Sequence, residues 1–284
     1  MSATLSDAIE AILGDAPHTI TPLSGGSVGE VYRAQFSDRD IVVKVDAGPD
    51  ARLNAEGWML EYLSEHSTLP VPRVLHSSSR LLLMEMLPGN SVFSGKAEDD
   101  AATHLARLHE ITAPQFGLER DTLIGSLHQP NPLSDTWIDF FREHRLLHMA
   151  REGVREGKIP LDTMSRIEKF ASRLEDWLIE PAAPSLLHGD VWTTNVLSSD
   201  DRITGFIDPA VYYGHPEIEL AFVTLFGTFG TRFFDHYKEL RGLEAGFFEE
   251  RKDIYNLYPL LVHVRLFGGS YLRSVESTIA RFGF

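Results

Sequence analysis

Asp190, Asn195 five positions later and Asp208 eighteen positions after Asp190 are the most chemically pointed spacing in the chain. The first two lie in His188-Gly189-Asp190-Val191-Trp192-Thr193-Thr194-Asn195, and the third ends the apolar run Phe206-Ile207. That pattern suits phosphoryl transfer. One carboxylate accepts the proton of an attacking hydroxyl, while an amide oxygen and a second carboxylate hold magnesium against nucleotide phosphates. Lys44 fits the same chemistry: it follows Ile41-Val42-Val43, an apolar strand that would aim an ammonium at α- and β-phosphates. Glu56 can pair with Lys44 and fix it. Ahead of both runs Ser24-Gly25-Gly26-Ser27-Val28-Gly29, whose glycines let backbone N–H groups of Gly25, Gly26 and Ser27 approach phosphate oxygens. The Glu85 carbonyl and Leu87 amide can pair with an adenine edge.

Short strands and helices must position these groups. The texture predicts a helix over Leu5 to Leu13, strands over Ile20 to Leu23, Glu30 to Phe36 and Asp40 to Val45, and a helix over Ala51 to Ser64. Strands return over Arg73 to His76 and Leu81 to Met86, and Pro88-Gly89-Asn90 breaks the chain. Helices are expected over Asp99 to Glu110, Ser134 to Gly153 and Asp162 to Ile179, with Pro114 to Pro132 a long loop. Leu186 to Ile207 is short-stranded and turn-rich, and Glu217 to Phe284 is helical. A small β-rich first part and a larger helical second part follow, divided near residue 87, and a cleft between two such parts is a common ligand site.

Composition removes competing classes. The chain has 284 residues, enough for about two domains at ~150 residues each. Hydrophobic residues make up 43% and charged residues 24%, an ordinary globular balance. A net charge of −15 disfavours nucleic acid and anionic membranes as partners. With no cysteine, disulfides, thiolate nucleophiles, Cys-ligated zinc and iron–sulfur clusters are excluded. The first ten residues have neither a basic start nor an apolar core, so they do not read as a signal peptide. A cytoplasmic monomer is the expectation. The sequence holds no G-x-x-x-x-G-K-[ST] loop and no H-E-x-x-H pair.

At Leu187 to Asn195 and Ile207 to Ala221 the chain resembles the kinase-like phosphotransferase superfamily and, within it, the fructosamine kinase (ketosamine-3-kinase) family. Trp192 after His-Gly-Asp-Val and the run Asp208-Pro209-Ala210-Val211-Tyr212-Tyr213-Gly214-His215 separate it from aminoglycoside and choline kinases. Phe116-Gly117, Gln129-Pro130-Asn131, Trp137 with Phe140-Phe141 and Arg145, and Leu266 to Tyr271 extend the likeness, which runs from about Leu23 to Leu272. Glu30-Val31-Tyr32, Val262 and Glu219 depart from it; Asp is common where Glu219 stands.

The resemblance implies an α+β, bilobal protein-kinase-like fold, with a nucleotide-binding N-lobe over 1–87 and a helical C-lobe over 88–284. It implies ATP- and Mg2+-dependent phosphorylation of the 3-hydroxyl of ketosamines, the Amadori-type adducts of sugars with free amines or protein lysines. The phosphorylated product decomposes and frees the amine, a deglycation repair. Asp190 is then the catalytic group, and Asn195 and Asp208 are the metal ligands. Lys44, Glu56, Glu85, Leu87 and the Gly25-Gly26-Ser27 loop bind nucleotide. In kinase-like folds the position of His188 braces the loop. Trp192 can stack on the sugar or fill the core, and His263 can face substrate or pack. No A-P-E segment follows Asp208, so a protein hydroxyl is not the expected acceptor. The alternatives are a small-molecule kinase of the aminoglycoside or choline kinase type and a non-catalytic nucleotide-binding relative; intact Lys44, Asp190, Asn195 and Asp208 weigh against the latter.

Overall fold

The computed structural model describes residues 2–23 and 29–284, so Gly25, Gly26 and Ser27 lie outside the described residues. The chain divides into two compact units, neither continuous in sequence. One holds the residues up to Ala97 together with Thr194–Pro209, and the other holds Glu98–Thr193 and Ala210–Phe284.

The first unit opens with helix α1 (Ser2–Leu13) and continues with strands β1 (Thr19–Pro22), β2 (Glu30–Gln35) and β3 (Asp40–Val45). Helix α2 (Leu53–His66), β4 (Val74–Ser77) and β5 (Leu81–Glu85) follow. The strands form an antiparallel sheet in the order β1-β2-β3-β5-β4. Side chains alternate between sheet faces, so β3 serves two layers. Ile41 and Val43 pack with Ile9, Ala34, Phe36 and Leu83 on one side. Val42 packs on the other with Leu53 and Leu60 of α2 and with Leu82 and Met84. Lys44 shares the parity of Val42, which turns it toward the α2 layer.

Two strands from much later in the chain complete this unit. β9 (Val196–Ser199) and β10 (Arg202–Phe206) form a hairpin whose turn residues Asp200 and Asp201 both adopt positive φ, 50° and 67°. The hairpin is anchored by an Asn90–Ser198 bridge and by a bond from Phe206 N–H to the Pro70 carbonyl.

The second unit is mostly helical. It contains most of α3 (Gly95–His109), the hairpin of β6 (Thr122–Ile124) and β7 (Leu127–Gln129), and α4 (Trp137–Phe141). Next come α5 (His148–Arg155), α6 (Leu161–Ala171), β8 (Ser185–Leu187), β11 (Tyr212–Gly214), α7 (Pro216–Leu225), α8 (Thr231–Arg241), α9 (Lys252–Phe267) and α10 (Ser270–Arg281). β8 pairs with β11, which sets the stretches before Asp190 and after Asp208 side by side.

Three sequence expectations need correction here. The helix expected over Asp162 to Ile179 ends at Ala171, followed only by a 3₁₀ turn, Leu174–Asp176. The long loop expected over Pro114 to Pro132 contains the β6–β7 hairpin, closed by Gly125 at φ 56°. The single helix expected over Ser134 to Gly153 is interrupted by a π-helical turn, Arg142–Leu147. An extra residue in a turn leaves the apolar spacing nearly intact, so periodicity does not report it.

Candidate active site

Lys44 is the electrostatic centre of the first unit. Its Nζ lies 2.7 Å from Glu56 Oε1 and also bonds Asp208 Oδ1. Both the central strand and the helix that covers it place these groups: β3 delivers the ammonium, and the first turn of α2 delivers Glu56. The Lys44 side chain is only 8% exposed, so a lone ammonium there would lose several kcal/mol of hydration. Burial favours the neutral amine, but Asp208 and then Glu56 more than offset it and hold Lys44 charged. Burial raises the Glu56 carboxyl against the pull of Lys44, and the neighbouring Asp208 charge raises it further. One ammonium thus serves two carboxylates, leaving surplus negative charge that suits a cation.

Asn195 and Asp208 bracket the β9–β10 hairpin. Asn195 ends a 3₁₀ turn just before β9 and is buried, and Asp208 lies two residues beyond β10. A bond from Ile207 N–H to the Asn195 carbonyl, 2.9 Å, ties the two ends together. Asp208 takes φ 55°, a left-handed conformation that costs a non-glycine residue energy and so marks a position fixed by its surroundings. An amide oxygen and a carboxylate at one hairpin end are hard oxygen donors. They fit magnesium, which binds through one or two protein carboxylates plus substrate phosphates. Among the described residues no group of three or more His, Cys, Asp or Glu could hold a metal, which is compatible with so sparse a ligand set.

Asp190 belongs to the second unit, where its loop is held by backbone contacts. Gly189 has φ 87°, and a Cβ there would collide with the Ala210 carbonyl. Its N–H donates to Glu219 Oε1 at 2.6 Å, and the His188 carbonyl accepts from Ala210 N–H at 2.7 Å. His188 is fully buried, and its Nδ1 accepts from Asp190 N–H at 3.3 Å.

Glu219, in the first turn of α7, also meets the ring of His109, with Nε2 2.9 Å from Oε2. A carboxylate only accepts, so Nε2 carries a proton, and Nδ1 lies 2.7 Å from the Tyr237 hydroxyl. Burial would raise the Glu219 carboxyl, but His109 and the Gly189 N–H hold it below its ordinary value. His109, which no sequence motif singles out, is fully buried within this brace. The family departure at Glu219 was the one available signal for the position.

The remaining expected residues fall into two groups. Trp192 and His263 come together, their rings 6.4 Å apart and edge-on, with Phe226 5.4 Å from Trp192 and 5.1 Å from His263. His263 Nδ1 bonds the Pro259 carbonyl, and burial lowers its basicity. Glu85 closes β5 with an exposed side chain, its N–H bonded to the Arg73 carbonyl. Leu87 packs where a Cβ on Gly205 would have to go.

Three comparisons with known proteins agree. A family model described as fructosamine kinase matches residues 1–282. A probable ketoamine kinase of Synechocystis sp. is 34% identical over 272 residues, 90% of this chain and 88% of its own length. The chloroplastic protein-ribulosamine 3-kinase of Arabidopsis thaliana is 32% identical over 272 residues, 92% of this chain and 81% of its own. A solved structure titled "putative fructosamine-3-kinase", from Thermobifida fusca, is similar with a TM-score of 0.87 and 30% identity, covering 98% of this chain and 97% of that one.

Proposed function

Since the chain belongs to the fructosamine kinase family, we propose that it transfers the γ-phosphoryl group of ATP to the 3-hydroxyl of a ketosamine, free or carried on a protein lysine. Its fold is kinase-like, and it is a phosphotransferase with an alcohol group as acceptor. The Lys44–Glu56–Asp208 triad is the observation that carries the mechanism. A buried ammonium held between two carboxylates has a fixed position from which to meet phosphate oxygens, and no such arrangement is needed for packing alone.

Lys44 neutralises charge on the nucleotide phosphates, and Glu56 keeps it aimed. Asn195 and Asp208 would hold Mg2+, which supplies charge stabilisation at the phosphates. Asp190 orients the sugar hydroxyl and accepts its proton as the oxygen attacks phosphorus. Transfer is direct and in line, without a covalent enzyme intermediate, so the protein's work is positioning and electrostatics. The name of the Arabidopsis relative supports position 3 of the sugar. The aromatic surface of Trp192 and Phe226, two residues along from Asp190 at its nearer end, suits the apolar face of a sugar. The acidic net charge supports action as a monomer away from nucleic acid and membrane surfaces.

The deciding experiment is a panel of synthetic fructosamines and ribulosamines, with aminoglycosides and choline as rival acceptors. ADP release is coupled to mass-spectrometric detection of the phosphorylated product. Phosphate on the ketosamine sugar is the expected result. Turnover confined to the rival acceptors would overturn the proposal.

A further inference from the structure

We infer that Gln129 is a positioning residue for phosphoryl transfer, acting through the Ala210 carbonyl on the Gly189–Asp190 turn; the inference rests on reading Asp190 as the group that takes the hydroxyl proton.

Gln129 sits at the end of β7 and is fully buried. Its Nε2 donates to the Ala210 carbonyl at 3.0 Å and to Thr122 Oγ1 at 2.8 Å, and its Oε1 accepts from the Tyr258 hydroxyl. Both amide hydrogens and the oxygen are therefore engaged. A flipped amide would set its oxygen against two acceptors, so only one orientation is allowed.

The surrounding groups extend this grip over three consecutive residues. Thr122 Oγ1 accepts from Gln129 and from Asn131 Nδ2, and donates to the Val211 carbonyl at 3.2 Å. Asn131 Oδ1 accepts from Arg145 Nη2 at 2.6 Å. The Arg145 guanidinium, placed by the π-helical turn, lies 3.9 Å from the Tyr212 ring centroid. Ala210, Val211 and Tyr212 are thus held by Gln129, Thr122 and Arg145 respectively.

Ala210 is the residue through which this frame reaches the reacting carboxylate. Its N–H bonds the His188 carbonyl, and its own carbonyl fills the space beside Gly189. Gly189 is gripped from the other side by Glu219. Release of the Ala210 carbonyl would free one side of the turn that precedes Asp190. Misplacement of a reacting group by about 1 Å can cost on the order of 10²-fold in rate.

The test pairs Gln129→Met with Tyr258→Phe. The methionine keeps the side chain's length, and the second change removes the hydroxyl that would otherwise be stranded. Three quantities are measured on the full-length protein: kcat with a ketosamine, the dissociation constant for ATP, and hydrogen exchange of peptides spanning residues 187–192. We expect kcat to fall roughly ten- to hundredfold, ATP affinity to stay within about twofold, and exchange at the loop to quicken.

A kcat within about threefold of wild type, or unchanged loop exchange, overturns the inference. So does a matched loss of ATP affinity, because general destabilisation explains it. If the double variant does not fold, Tyr258→Phe alone is read, with a smaller change in the same directions expected and no change counting against. Wild-type protein silent on every ketosamine sinks the substrate reading alone, and loop exchange then decides the role of Gln129.

Discussion

The two units present their acidic groups by opposite means. In the first, Asp208 is held by charge: a buried ammonium binds it and Glu56 at once. In the second, the Asp190 loop is held by backbone geometry: a left-handed glycine, a buried glutamate that accepts its N–H, and a carbonyl packed against it. A charge-held group responds to whatever ion or phosphate enters, which suits a nucleotide site. A backbone-held group keeps its place regardless, which suits a base that must meet one hydroxyl. Damage to the first arrangement should surface as lost affinity, and damage to the second as lost turnover.

Four substitutions can break or sharpen that contrast. The largest effect belongs to Asp190→Ala, which should cut kcat by at least ~10²–10⁴-fold, the usual worth of a general base, while Mg-ATP still binds. Calorimetric titration beside steady-state kinetics checks both halves, and near-normal turnover would sink the assigned role. Asp208→Ala should act in the opposite column. Removal of one charge-assisted contact, worth about 1.5–3 kcal/mol, should weaken Mg-ATP binding roughly ten- to hundredfold.

Glu219→Gln comes next. It keeps the shape but weakens the acceptor for Gly189 N–H, so kcat should fall about tenfold through a loosened loop at unchanged ATP affinity, a free-energy change of ~1.4 kcal/mol. A shift confined to the ATP dissociation constant would erase the contrast between the units.

The smallest effect concerns pH and the second unit alone. His215 caps α7, its Nδ1 accepting from Glu217 N–H at 3.1 Å. Burial, reinforced by Arg251 and His109, pushes its imidazole down from 6.5 to about 3. Between those values the unfolded chain binds the proton and the folded chain does not. Stability conferred by neutral His215 is therefore present above pH 6.5 and lost as pH falls toward 3, by up to about 1.4 kcal/mol per pH unit. His215→Asn retains a capping acceptor, so stability at pH 7 should change by less than about 1 kcal/mol. The thermal midpoint should fall less steeply below pH 6 than in wild type. An identical pH slope in the two proteins would refute the assignment.

Much of the first unit was legible because local pattern and tertiary role coincide there. β3 carries the unbroken apolar run Ile41-Val42-Val43 and ends near Lys44, and its bounds, Asp40–Val45, match the expectation. The Lys44–Glu56 pairing anticipated from kinase-like order is present at 2.7 Å. The second unit was less legible where burial is polar. β6 and β7 are three residues each and bury Thr122 and Gln129, so they carry no apolar alternation. His109 and Glu219 are 110 positions apart, and nothing local to either announces the other. The bond from Lys44 to Asp208 likewise spans 164 positions and depends on how the late hairpin docks. The Gly25-Gly26-Ser27 expectation falls on residues outside the described part of the chain.

The discontinuity of the first unit bears on how the protein is made. The Asn90–Ser198 bridge and the Pro70–Phe206 bond cannot form until the ribosome has released the β9–β10 hairpin. At roughly 5–20 residues per second, an emerging N-terminal sheet waits on the order of ten seconds for those partners. During that interval the sheet is incomplete and Lys44 lacks one of its two counter-ions, so a nascent chain stalled before residue 209 should be far more open to protease than the finished enzyme.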